Sequence, residues 1–202
     1  MAYRNSQRAL RALNRVAMAQ GGYFTAAQGV TAGYLAPHLS YHVRRGNFLR
    51  IGRGLYRIPT LPIDQHDDFI RHCLWSRGLD GNPQAVVSHK SALLLHDISD
   101  ILPGKVHIMV PRSFRRRAPR GAVLHYGSLK PAETQSWGAF RVTTPLRTII
   151  DTTSDASIPT EQLEHALREA LARGLVRRRQ LESAACATDE RGRLRMLLAR
   201  IA

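Results

Sequence analysis

Turn-forming residues divide the start of the chain into segments too short for anything but small helices and a hairpin. Gln20-Gly21-Gly22, Ala32-Gly33, Gly46, Gly52-Arg53-Gly54, Pro59 and Pro62 follow one another at short intervals. Glycine reaches positive φ without steric cost, and proline cannot continue a regular element. Between these stops, Ser6–Ala19 has helical spacing, with Leu10, Leu13, Val16 and Ala17 on one face and Arg8, Arg11 and Arg15 opposite. Thr25 followed by Gln28 is a capping-box pattern and predicts a short second helix to about Thr31. A third helix is expected over Pro37–Arg45, with Pro37 suited to its first turn and Gly46 to its C-terminal stop. Phe48–Ile51 and Gly54–Ile58 then read as two β-runs around Gly52-Arg53-Gly54. Three helices followed by a hairpin is the order of a winged helix-turn-helix.

Charge narrows the function of such a unit. The chain carries a formal net charge of +15. No Asp or Glu occurs from Met1 to Ile63, a stretch holding Arg4, Arg8, Arg11, Arg15, Arg44, Arg45, Arg50, Arg53 and Arg57. A merely solvated surface mixes both signs, so a one-signed segment of this length is better explained by a polyanion. In a helix-turn-helix the second helix of the motif enters the major groove, where base edges are distinguishable. Here that is Pro37–Arg45. Leu39 and Val43 should face the core, which leaves Pro37, Ser40, Tyr41 and Arg44 outward, flanked by His38 and Arg45. On the wing, Arg50, Arg53 and Arg57 are the expected DNA contacts, with Arg53 at the tip able to enter the minor groove or bind phosphate. The plainer reading of Arg44-Arg45-Gly46 is a helix end favoured by the macrodipole.

The remainder reads as a second module. Asp64 is expected to cap a helix to Ser76, Gly78–Pro83 forms a turn, and Val86–His96 reads as a helix with Ser88 near its start. Strands are expected at Lys105–Val110, Ala122–Tyr126 and Phe140–Val142, and helices at Pro145–Thr152, Glu161–Arg173, Arg177–Ala187 and Glu190–Ile201. The expectation is an α/β (α+β) chain: a winged helix-turn-helix over 1–62, then a small helix-rich α/β module over 63–202. The basic loop Ser113–Arg120, with Arg115, Arg116, Arg117 and Arg120, stays open between a second DNA contact, a surface for an acidic protein and plain solvation. Arg177-Arg178-Arg179 reads as a solvated helix start.

Other chemistries find little support. No apolar run approaches the about eighteen residues of a membrane span, and no secretory leader is recognisable, so a cytoplasmic protein is expected. Cys73 and Cys186 read as reduced, buried thiols. His38 and His42 lie four apart on one helix, but no third ligand is near, and no metal or cofactor is expected. A metal-dependent nuclease would draw on Asp97, Asp100, Lys105 and Asp151, yet no strand-borne Asp followed by Glu-x-Lys occurs. A non-enzymatic protein is therefore the expectation.

The N-terminal segment resembles the AbiEi family of antitoxin-type transcriptional regulators. The matching residues are Gly22-Tyr-Phe-Thr-Ala-Ala-Gln28, Ala32-Gly33, Leu39-Ser40, Val43-Arg-Arg-Gly46 and Arg53-Gly-Leu-Tyr-Arg57. A looser likeness extends through Val87–Leu93 and Val142–Asp151. The resemblance implies an autorepressor that binds inverted repeats in its own promoter and counteracts a nucleotidyltransferase-type toxin encoded beside it. It would act as a monomer or weak dimer, cooperative on DNA. Pro37 and His38 stand in the first turn of the recognition helix, so the family's operator sequences do not transfer. The alternatives are a plain regulator whose second module senses a ligand or protein and, further off, a nuclease.

Overall fold

The computed structural model describes residues 2–188 and 192–201, and the side chains of 7–187 and 192–201. It divides into two compact units, one running from the N-terminus to Gln84 with Gly138–Phe140, the other comprising Ala85–Trp137 and the chain from Arg141 onward. No helix among the described residues is long and apolar enough to cross a membrane.

The first unit contains α1 (Ala2–Met18), β1 (Tyr23–Thr25), α2 (Ala26–Ala32), α3 (Ala36–Arg44), β2 (Leu49–Gly52), β3 (Leu55–Arg57) and α4 (Asp67–Trp75). The three strands pair antiparallel in the order β1-β3-β2. β1 is a strand that sequence reading passes over. It is three residues long, too short to show a period, and its strand character comes from Thr25–Leu55 and Tyr23–Arg57 pairing with the wing. The buried face of α1 is Ala9, Leu13 and Ala17, whereas the expected Leu10 is 44% exposed. A spacing of four keeps those three on one stripe, and a choice between neighbouring apolar residues such as Ala9 and Leu10 is settled only by what packs against them.

The core of this unit gathers Leu13, Phe24, Tyr34, Leu39, Phe48 and Ile58. Phe24 meets the edge of Phe48 at 5.0 Å and stacks on Tyr56 at 5.4 Å. Thr25 caps α2 as expected, its hydroxyl accepting from Gln28 N while the Gln28 side chain accepts from Thr25 N at 2.8 Å. Gly33, at φ +108°, closes α2, and Tyr34 N donates to Gly29 O at 3.0 Å. α2 and α3 approach closely because Gly29 has no side chain: a Cβ there would stand 3.1 Å from Leu39 Cδ2. Asp64 does not cap α4, which starts at Asp67. The Asp64 carboxylate instead accepts from His66 N two residues on, which spends it on a local turn.

The second unit is built on a five-stranded mixed sheet in the order β6-β5-β4-β8-β7. Its strands are β4 (Val86–Val87), β5 (Val106–Val110), β6 (Ala122–Tyr126), β7 (Thr134–Trp137) and β8 (Phe140–Thr143). β5 pairs antiparallel with β4 and parallel with β6, and β4 pairs parallel with β8. Helices α5 (His89–Leu95), α6 (Pro145–Thr153), α7 (Thr160–Ala172), α8 (Arg178–Thr188) and α9 (Arg193–Arg200) complete it. Leu93, Ile149, Leu163, Leu167, Leu181 and Leu197 share one core. The expected helix Val86–His96 is thus a strand and a helix. Ser88 stands between them in extended conformation and holds the N-cap position without a side-chain capping bond, while His89 takes φ +50°. The expected helix start at Glu190 lies outside the described residues. Cys73 is buried, and burial pushes its thiol up to about 12, but Cys186 is exposed, against expectation, because α8 turns it away from the core.

Leu39 is 2% exposed and supports α3 from below. Leu39→Ala is expected to cost about 2–5 kcal/mol in urea unfolding. A cost well below 1 kcal/mol would contradict this packing.

Candidate nucleic-acid interface

α3 is anchored on one side and open on the other. Leu39 is buried and Val43 half-buried, while Pro37, His38, Ser40, Tyr41, Arg44 and Arg45 are all exposed. Pro37 sits in the first turn as expected. Tyr41 and Arg45 are coupled, with the Arg45 guanidinium carbon 5.5 Å from the ring centroid. His42 turns inward against Tyr34 and Phe48, and its Nδ1 is bonded to the Asn47 amide at 3.0 Å. Burial, with His38 adding to it, holds the His42 pKa below the ordinary value.

The wing is shaped by its glycines. Gly54 takes φ +64°, and the strand register slips between Arg50 and Gly52, so Arg53 projects from a bulged turn. Arg50 and Arg53 are exposed. The tip is held through its backbone: Arg77 Nη2 donates to Arg53 O at 2.6 Å, and Ala26 N donates to Gly54 O at 2.9 Å. The Arg53 side chain remains outward.

Arg57 is placed differently. It is 8% exposed, and its Nη2 donates to Leu61 O at 2.8 Å. It lies across Gly22, where a Cβ would stand 3.3 Å from Arg57 Nε. The reason is strand alternation: on β3, Leu55 and Arg57 face one way and Tyr56 the other. Arg57 is a buried tie at the base of the wing, and the outward cations of the hairpin are Arg50 and Arg53. Exposed Arg8, Arg11 and Arg15 on α1 add to the positive charge of the same unit.

In the second unit, Arg115, Arg116, Arg117 and Arg120 are exposed on the connection from β5 to β6. The residues that a nuclease would need have separate surroundings. Asp97 pairs with Arg173, fully exposed Asp100 with His165, and Asp151 with Arg147 at 2.8 Å. Arg147 also holds Glu133 at 2.9 Å. Burial lifts the Asp151 carboxyl to about 6 even beside Arg147.

Sequence reading missed one cluster. The His89 ring stacks on His125 with centroids 3.4 Å apart, and His125 Nε2 is hydrogen-bonded to His107 Nδ1 at 2.9 Å. His89 Nδ1 meets Ser88 Oγ at 3.0 Å. These histidines come from α5, β5 and β6, and only the fold brings them together. Burial holds His89 down at about 3 and His107 at about 4, with the neighbouring imidazoles adding to both; Lys90 presses further on His107 and Arg147 on His89, while Asp155 opposes.

Residues 11–59, from α1 to the end of the wing, match the family described as transcriptional regulator, AbiEi antitoxin. No curated protein matches the chain. A crystal structure of the RV2827C protein from Mycobacterium tuberculosis is similar at 15% identity and a TM-score of 0.49, covering 97% of this chain and 82% of that one.

Two measurements check the placements. Arg57→Ala is expected to cost about 1–3 kcal/mol of stability, since a buried side chain is truncated and the half-buried Leu61 carbonyl loses its donor, whereas Arg53→Ala should leave the unfolding midpoint unchanged; equal effects would contradict the burial. For the histidines, folded pKa values lie below the unfolded 6.5, so the unfolded chain binds more protons as pH falls from 6.5 toward 4. Their contribution is complete above 6.5 and is lost on acidification. Asp151, raised rather than lowered, acts oppositely between about 4 and 6, so the informative quantity is the difference between wild type and His89→Gln. The variant's stability should fall less steeply from pH 7 to pH 4, and parallel curves would contradict the assignment. The α2–α3 pair, the exposed polar and cationic face of α3 and the arginine-tipped wing all lie within residues 11–59, the segment that is similar to the family described as transcriptional regulator, AbiEi antitoxin.

Proposed function

We propose that this chain is an antitoxin-type autorepressor, working in the cytoplasm. It binds inverted repeats in its own promoter through α3 and the wing, and it counteracts a nucleotidyltransferase-type toxin encoded beside it. The observation that carries the DNA reading is the one-sided exposure of α3. Its buried side fixes the helix, and its open side offers Ser40, Tyr41, Arg44 and Arg45 without a carboxylate anywhere from Met1 to Ile63. Arginine reaches guanine O6 and N7 in the major groove, while serine and tyrosine donate to phosphates or bases. Arg50 and Arg53 on the wing supply backbone or minor-groove contacts. The toxin partner rests on the family match and is supported by it alone.

Fluorescence anisotropy of the full chain on its own upstream duplex and on a scrambled duplex tests this. Arg44→Ala should reduce the preference between the two about tenfold or more, because one bidentate base contact is worth about 1–3 kcal/mol. Arg53→Ala should weaken both equally and lower the salt slope by about 0.9. Equal affinity of the wild type for both duplexes would overturn the autorepressor reading. Co-expression with the neighbouring nucleotidyltransferase tests the second half: restored growth is expected, and persistent arrest would remove the antitoxin role.

A further inference from the structure

Arginines of the second unit include two contrasting groups, beside others such as Arg193 and Arg195 that donate to backbone carbonyls. One group answers carboxylates: Arg147 holds Glu133 and Asp151, Arg168 and Arg200 hold Glu164, and Arg178 holds Glu182. The other lies on the connection between β5 and β6. From Ile101 to Ala132 the sequence contains no Asp or Glu, yet it carries Lys105, Lys130 and five arginines between Arg112 and Arg120. Among the described residues, Arg112, Arg115 and Arg117 form no ion pair with a carboxylate.

This connection has a defined shape. Phe114 is 5% exposed and sinks into the unit, and its N donates to Pro111 O at 2.9 Å, forming a tight turn. Arg115 Nη1 donates to Arg112 O at 2.8 Å. Arg116 lies over the Phe114 ring at 5.1 Å. The buried phenylalanine therefore acts as a peg, and the residues on either side of it are turned outward.

We infer that the β5–β6 connection, Arg112 to Arg120, is a second DNA contact that grips the phosphate backbone without reading sequence. Like charges held this close repel, and a polyanion relieves that repulsion while releasing its own counterions. An acidic protein would neutralise the same charge, but stable protein interfaces need a desolvated apolar or aromatic centre. Here the only aromatic side chain of the loop is already buried within the unit. Phosphates ask only for exposed cations. The inference deepens the DNA-binding reading of the first unit, on which it rests.

The test compares two triple variants of the full chain that lose the same charge. One is Arg112→Ala/Arg115→Ala/Arg117→Ala. The other is Arg168→Ala/Arg178→Ala/Arg200→Ala, at sites that already have carboxylate partners. Affinity for scrambled duplex is measured from 50 to 200 mM salt, with melting curves confirming that both variants fold. Three lost contacts should flatten the log–log slope by about 2.7, making the salt-induced loss about 40-fold smaller than in wild type. Own-promoter and scrambled DNA should weaken alike. The single variant Arg117→Ala, whose side chain makes no bond within the loop, should flatten the slope by about 0.9. An unchanged slope in the loop variants overturns the inference and turns the loop toward a protein partner. An equal change in the paired-site variant overturns it too, since net charge alone would then suffice. A wild type that prefers its own promoter while the loop variants keep its slope sinks this inference and leaves the proposed function standing. A wild type without preference whose slope still depends on the loop does the reverse.

Discussion

Burial of Phe24 between the wing and the helices is the contact on which the first unit depends. Its ring stacks on Tyr56 of β3 and meets the edge of Phe48, so one side chain ties β1 to both sides of the hairpin. The residue itself belongs to a strand only three residues long, which would be marginal without this packing. Immediately after it, Thr25 caps α2, and α2 in turn carries Gly29, the position that admits Leu39. The orientation of α3 therefore follows from Phe24 through a continuous series of contacts. With Leu39 held down, the exposed residues of α3 have no freedom to face elsewhere, and the outward direction of Ser40 and Arg44 is a consequence of core packing.

Electrostatics supply the second constraint. A segment without carboxylates, such as Met1 to Ile63, repels itself, and this self-repulsion lowers the stability of the free protein. Binding a polyanion removes the penalty, so the same arrangement that weakens the free protein favours the complex and makes it sensitive to salt. Arg57 illustrates the limit of counting charges. It belongs to the same one-signed segment but is consumed by the interior, bonded to Leu61 O at the base of the wing. Its neighbours Arg50 and Arg53 are left for solvent or a ligand.

Much of this unit was legible in the sequence because its signals are local. The Thr25–Gln28 capping box, the glycine at the end of α2, Pro37 in the first turn of α3 and the Gly-Arg-Gly tip each act within a few residues. What was not legible depends on distant partners. β1 is a strand only because β3 lies beside it, and Arg57 points inward only because the β3 register puts it there. In the second unit, Val86-Val87 runs into the apolar helix after it, and nothing local marks it as a strand; its partners β5 and β8 lie far along the chain. The His89–His107–His125 stack is the extreme case, since its members are scattered over α5, β5 and β6. Of the expected DNA-contacting side chains of α3 and the wing, Pro37, His38, Ser40, Tyr41, Arg44, Arg45, Arg50 and Arg53 stand exposed, and Arg57 alone is buried.

If α3 and the wing bind DNA as proposed, the open face of α3 lies in the major groove. Dimethyl sulfate methylates guanine N7, an atom reached only from that groove, so protection of the chain's own upstream duplex reports on it directly. Protected guanines are expected in two half-sites, with centres about one helical turn or a multiple apart, and that protection should be lost in Arg44→Ala while backbone contacts persist. Tight binding with every guanine N7 still reactive would contradict it.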